Sequence, residues 1–112
     1  GLSASGNIKI VCDSKEQISR IPGLMSDFGL SDCVSRKVRN LSGGMKRRVA
    51  IIRALLSSHD LLIMDEPFKG LDETTRLAVM HSVRKETPED TILMITHDIS
   101  EVEFFNAEII NL

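Results

Sequence analysis

Two uninterrupted apolar runs, "DLLIMD" at Asp60–Asp65 and "TILMIT" at Thr91–Thr96, constrain this chain more than any other feature. A strand with one wet face alternates apolar and polar residues. A run that is apolar throughout reads instead as a strand buried on both faces, as in a parallel sheet. Parallel neighbours need a crossover of a dozen or more residues. The stretch Glu73–Thr87 supplies one, a charged helix with Leu77, Met80 and Val83 expected to turn inward. Strand, helix and strand predict an α/β layer built on parallel strands with flanking helices.

The other segments read as additions to that layer. In Gly43–Ser57, Met45, Val49, Ile52 and Leu56 recur at helical spacing. The region before Leu41 shows no buried strand and is expected to be mostly helical. "GLSASG" at the amino end is small and polar and reads as frayed, and Asn7–Cys12 reads either as a short strand or as a first helical turn. Ser14 has the character of a helix N-cap. Pro22 then predicts a break between two short helices, the second ending at Gly29. Asp98 and Glu101 have capping-box spacing for a helix through Asn106, and "EIINL" at the carboxyl end reads as a third strand.

Bulk properties narrow the function classes. At 112 residues the chain has room for one modest core. Its net charge of −2 gives no footprint for nucleic acid, so Lys46, Arg47 and Arg48 read as a solvated helix face, and no nucleic-acid partner is expected. Cys12 and Cys33 fit no metal-ligand spacing and are expected to be reduced thiols. No apolar run approaches bilayer length, and the amino end has no signal-peptide pattern. Any membrane association is therefore expected to come through a partner.

Three short stretches carry chemistry. Open α/β sheets place ligand sites at the carboxyl ends of their strands, here Asp65 and Thr96. Asp65, the first of two acids that follow β-like apolar sequence, suits a nucleotide-bound Mg²⁺ through a water, since such an ion keeps several waters and needs only one or two carboxylates. Glu66 suits a base that polarises an attacking water. Ser42-Gly43-Gly44 opens a helix, where free N–H groups and a partial positive charge favour an anion, and the glycines permit close approach. His97 suits a hydrogen-bond donor to a phosphate. Taken singly, each has an ordinary reading: acids closing a strand before Pro67, a serine cap, a histidine in a turn.

Together they do not. At "LSGGMKRRVAIIRALL", "LLIMDEP", "KGLD" and "THD" the chain resembles the ATP-binding-cassette (ABC) ATPases, the motor subunits of ABC transporters. The signature motif matches at Leu41, Ser42, Gly43 and Gly44, with Arg48 and Arg53 at the family's spacing. The Walker B strand matches at Leu61 to Asp65, followed by the catalytic-glutamate position at Glu66. The D-loop matches at Gly70, Leu71 and Asp72, and the switch histidine at His97. The resemblance covers roughly Asn7 to the end. It implies the carboxyl-side half of a P-loop NTPase-like ATPase domain, with residues 1–42 a partial helical subdomain plus extension. Residues 43–112 would then hold the signature helix and the carboxyl-side part of the core.

Two departures stand out. Met45 replaces the family's usual glutamine, and a thioether is a weak acceptor. No G-x-x-x-x-G-K-[S/T] phosphate loop occurs in the 112 residues, nor the family's glutamine loop or base-stacking aromatic. The chain alone is therefore expected neither to bind ATP measurably nor to turn it over, and to self-associate through uncovered apolar surface.

By resemblance, Leu41 to Met45 would face ATP held by a second nucleotide-binding subunit. Asp65 would assist Mg²⁺ through water, Glu66 would act as base, His97 would sense the γ-phosphate, and Asp72 would couple the two sites. The implied partners are that second subunit and transmembrane permease subunits at the cytoplasmic face of the membrane. "DEPFKGLDE" is in the style of prokaryotic importers of small solutes such as nitrate, sulfonates or taurine. Two alternatives remain: a truncated, non-catalytic partner module, and an ATPase of the DNA-repair or chromosome-maintenance type. The latter carries long coiled coils, and no heptad run appears here.

Overall fold

In the computed structural model, which describes residues 1–111, five helices and two strands follow one another. They are α1 (Ala4–Lys9), α2 (Lys15–Asp27), α3 (Gly43–Leu56), β1 (Leu61–Asp65), α4 (Glu73–Glu86), β2 (Thr91–Ile95) and α5 (Ile99–Phe104), with single 3₁₀ turns at Ser31–Cys33 and Val38–Asn40. The expected α/β architecture is present. β1 and β2 run parallel, in register from Leu61 opposite Thr91 to Asp65 opposite Ile95, with α4 as the crossover.

The amino end is ordered rather than frayed. Ser3 caps α1 by accepting from the Gly6 amide at 3.0 Å, and Ala4 and Ile8 are fully buried. Backbone bonds from Ala4 to Arg36 and from Val38 to Leu2 tie this end to the segment before α3. Small residues look flexible in sequence, but here they let α1 pack closely, and Asn7–Cys12 is helix and turn, not strand.

Pro22 does not break α2. The helix runs through it, although Pro22 offers no N–H to the Ile18 carbonyl, a defect costing about 3 kcal/mol in a helix interior. Two features offset that cost. Ser14 and Gln17 form a reciprocal capping box at the start, and Ile21, Leu24 and Met25 are buried beside the proline. The chain leaves α2 through Gly29 at φ +72, a left-handed exit that glycine tolerates best.

α3 spans the expected stretch and lies against α1 and α2. Gln17 donates to the Leu56 carbonyl at 2.9 Å, and Arg53 donates to Asn7 at 3.3 Å, so polar bonds tie the last turn of α3 to both α2 and α1. The core continues through Val49, Ile52, Leu62, Met64, Phe68, Val79, Met80 and Val83.

The strands are not buried on both faces. Leu62 and Met64 point into the core, whereas Leu61, Ile63, Leu93 and Ile95 share an exposed face, Ile63 being 61% exposed. In α4, Leu77 is 41% exposed, and Val79 takes the inward place expected of it. The expected third strand does not form at Glu108–Asn111, and Leu112 lies outside the described residues.

Candidate functional site

The site is built where the chain leaves the two strands. After Asp65, the Glu66 amide donates to the Ile95 carbonyl at 2.8 Å, carrying the parallel ladder one step beyond β1. Glu66 then turns at φ 46, a left-handed conformation uncommon outside glycine and strained for a side chain of this size. Directly beyond it Phe68 is buried and stacks on Phe105, ring centroids 5.9 Å apart. Ladder on one side and buried ring on the other hold Glu66 in that turn.

Opposite, β2 ends at Ile95 and delivers Thr96, His97 and Asp98. His97 Nδ1 is 3.3 Å from Glu66 Oε1, within charge-attraction range but too poorly aligned for a hydrogen bond. Among the described residues Glu66 Oε1 is consequently buried without a hydrogen-bond donor, while the imidazole is 89% exposed. A buried carboxylate oxygen that lacks a partner carries a desolvation cost, which a water or ligand donor would relieve.

The loop carrying His97 is held from both sides. Thr96 Oγ1 accepts from the Asp98 amide at 3.0 Å and donates to Glu101 Oε2 at 3.0 Å. Asp98 caps α5 by accepting from the Ser100 amide, and Arg76 of α4 bonds its other oxygen at 2.9 Å. The Ser100 donors, and then Arg76, hold the Asp98 carboxyl below its ordinary range. Burial pushes the Glu101 carboxyl upward, opposed by the Thr96 hydroxyl. Asp98 is therefore a cap as expected, but Glu101 does not complete a capping box: its side chain goes to Thr96 instead of the cap amide.

The second cluster is the start of α3. Ser42 is the N-cap, its hydroxyl accepting from the Met45 amide at 3.2 Å. A Cβ placed on Gly43 would meet nothing within 4 Å, and one on Gly44 would meet only Leu71 at 3.8 Å. Leu41 is buried beneath this turn. Met45 turns its sulfur toward Cys33, 3.9 Å away, so its side chain is part of the packing rather than of the exposed helix start. Arg48 ties the turn to α2 through the Phe28 carbonyl at 2.9 Å, and Arg47 bonds the Lys69 carbonyl.

Asp72 caps α4 by accepting from Thr75, which lowers its carboxyl below the ordinary range. The structure thus brings Glu66 and His97 together in an open depression of about 550 Å³ that Leu71, Arg76 and Glu101 also line. Residues 41–45 do not line it. The first turns of α3 lie beside residues 69–71 instead: a Cβ on Gly44 would stand 3.8 Å from Leu71, and Arg47 bonds the Lys69 carbonyl. Arg76 carries no signal in the sequence, whereas the sequence marks Thr96 only as a strand end and Glu101 only as a capping residue; the structure shows all three holding the loop that carries His97.

Residues 2–69, more than half of the chain, match the family model described as "ABC transporter". The chain belongs to the ABC transporter family. It is 41% identical over 91 residues to a thiamine import ATP-binding protein, ThiQ, of Histophilus somni, a match spanning 80% of this chain and 42% of that protein. It is 39% identical over 90 residues to an aliphatic sulfonates import ATP-binding protein, SsuB 1, of Rhodococcus jostii, spanning 79% and 37%. Among solved structures, a dimeric bacterial ABC transporter cassette superposes with a TM-score of 0.74 at 29% identity, covering 92% of this chain and 49% of that one. The chain spans less than half the length of the curated relatives it matches.

Proposed function

We propose that the chain is part of the ATP-binding, ATP-hydrolysing subunit of an ABC transporter that imports a small solute. The observation that carries this reading is the meeting of Glu66 and His97 at the carboxyl ends of two adjacent parallel strands, with a buried Glu66 oxygen short of a donor. A water between Glu66 and a γ-phosphate would satisfy that oxygen. Glu66 would then take the proton of the water as its oxygen attacks phosphorus. The exposed imidazole of His97 is free to donate to the same phosphate.

Among the described residues no group of three or more His, Cys, Asp or Glu is arranged to hold a metal ion. A nucleotide-bound Mg²⁺ takes most of its ligands from phosphates and water, and would ask for only one or two carboxylates of this chain. Asp65, exposed at the end of β1, is the residue that would hold it, and the ion would neutralise charge developing on the phosphates.

The start of α3 has a different role. Gly43 faces open space and has no positive φ, so nothing within this chain calls for glycine there. A phosphate approaching from outside would. Ser42 and Gly44 would contact a triphosphate held by a second nucleotide-binding subunit, the Ser42 hydroxyl keeping its own proton to donate. Asp72, one residue beyond the Leu71 that a Cβ on Gly44 would meet, would couple the two sites. On this reading residues 1–42 belong to a helical subdomain and residues 43–112 to the signature helix and ATPase core. Permease subunits at the cytoplasmic membrane face would be the remaining partners. No helix among the described residues is long and apolar enough to cross a membrane. The thiamine and sulfonate importers among the relatives support import.

The test is Glu66→Gln in the full-length subunit. Steady-state hydrolysis should fall by about 10²- to 10⁴-fold while ATP-dependent dimerisation persists. Unchanged hydrolysis would rule Glu66 out as the base.

A further inference from the structure

We propose that Glu101 is a positioning residue for His97, acting through the Thr96 hydroxyl. This rests on the proposed role of His97, but the interaction can be tested without any ATP chemistry.

The argument starts from a cost. Glu101 is 4% exposed and lies on the face of α5 turned to β2, where an apolar side chain would pack without a desolvation penalty. Its one hydrogen bond to another side chain among the described residues is the 3.0 Å bond from Thr96. A threonine hydroxyl has a single proton. Because Thr96 commits that proton to Glu101, its lone pairs are left to accept, and the Asp98 amide donates to them at 3.0 Å. Glu101 thus sets the direction of a two-bond chain that spans His97. One of its oxygens remains an acceptor whether the carboxyl is ionised or not, so the arrangement does not depend on its charge.

The other side of the loop is fixed separately, by Arg76 on Asp98 and Ser100. The His97 ring has no hydrogen bond among the described residues and is 89% exposed. Its placement 3.3 Å from Glu66 therefore depends on its neighbours, and Glu101 is the buried anchor among them.

The experiment is amide hydrogen exchange at Asp98 and relaxation of the His97 ring, followed by NMR in the 112-residue chain. Glu101→Leu removes the acceptor, whereas Glu101→Gln keeps an oxygen in its place. Asp98 exchange should quicken by about fivefold to tenfold in Glu101→Leu, with a more mobile His97 ring, the scale expected for one lost hydrogen bond. Glu101→Gln should restore both readouts to near the parent values. A folded Glu101→Leu protein with parent exchange, or a Gln variant as perturbed as the Leu variant, would overturn the proposal. Should the Leu variant fail to fold, Thr96→Val compared with Thr96→Ser carries the test. The ring must then loosen in the valine variant alone, and an unmoved ring refutes the proposal. Failure of the catalytic reading would appear elsewhere, as intact hydrolysis in Glu66→Gln.

Discussion

The helical layer of α1, α2 and α3 and the ribbon of β1 and β2 bury their apolar residues to different depths. In the helical layer Ala4, Ile8, Met25, Phe28, Leu30 and Ile52 are fully enclosed. In the ribbon, one face is enclosed and the other leaves Leu61, Ile63, Leu93 and Ile95 between 44% and 61% exposed. Asp65, Glu66 and His97, proposed to carry the hydrolysis, belong to the less enclosed region, while Ser42 and Gly44, proposed to meet another subunit's triphosphate, open α3. Stability and hydrolysis chemistry therefore come from different parts of this chain, and substitutions can separate them.

The largest effect should come from the helical layer. Phe28→Ala removes a fully buried ring at the exit of α2, and should cost about 3–5 kcal/mol in urea-induced unfolding. Ile63→Ala, equally apolar but on the open face, should stay within about 0.5 kcal/mol of the parent. Equal costs at the two positions would contradict the comparison.

The same contrast explains what could be read from the sequence. α3, β1, α4 and β2 were legible because local signals and tertiary packing agree there: Ser42 caps, apolar periodicity follows, and two β-rich runs end in polar turns. The position of the candidate residues was legible because strand ends determine where Asp65, Glu66 and His97 emerge. α1 and the continuous α2 were not. Their formation depends on long-range burial of Ala4, Ile8, Ile21 and Met25, which overrides the local message of small residues and Pro22. The open sheet face was missed for the opposite reason. An all-apolar run does not state whether its second face is covered within the same chain. Glu101 looked like a capping residue because its spacing from Asp98 fits one, and only the fold brings Thr96 close enough to compete.

The exposed face also predicts association. A row of Leu61, Ile63, Leu93 and Ile95 open to water should drive self-association at micromolar concentration, visible as concentration-dependent sedimentation. Ile63→Lys should shift the chain toward monomer with little loss of stability, since Ile63 is 61% exposed. If Ile63→Lys associates as the parent does, the contact lies elsewhere.

A smaller effect is expected at the far end of the ribbon. His59 lies just before β1, with Nδ1 2.7 Å from the Ser57 carbonyl and Nε2 2.8 Å from the Asp90 carboxylate. Both partners are acceptors, so the imidazolium, which donates from both nitrogens, is the form that satisfies them. The bond to Asp90 is the main cause of a raised His59 pKa; burial opposes it, while the Ser57 carbonyl and the Asp90 and Asp60 charges add to the rise. A group whose pKa is raised on folding stabilises the fold fully below its unfolded value of 6.5, and that contribution fades as pH climbs through the folded value. Stability should therefore fall by about 1 kcal/mol or less above that range. Asp90→Asn should flatten this pH dependence, read from denaturation midpoints across the titration. A parent chain with no loss on raising the pH would show that the pair contributes nothing.

The smallest effect on the fold should be the most informative about function. Gly43 occupies the first position of α3 with no positive φ and no neighbour within 4 Å of an added Cβ. Gly43→Ala should therefore leave the chain as stable as the parent, or raise its stability by roughly a few tenths of a kcal/mol through reduced freedom of the unfolded state. In the full-length subunit the same methyl would stand between the helix start and an approaching phosphate, and ATP-dependent dimerisation should weaken. A variant that folds normally yet dimerises poorly with ATP would locate the requirement for glycine outside this chain. A variant that unfolds would place it within the chain, and one unimpaired in both respects would argue that no phosphate meets the backbone at this position.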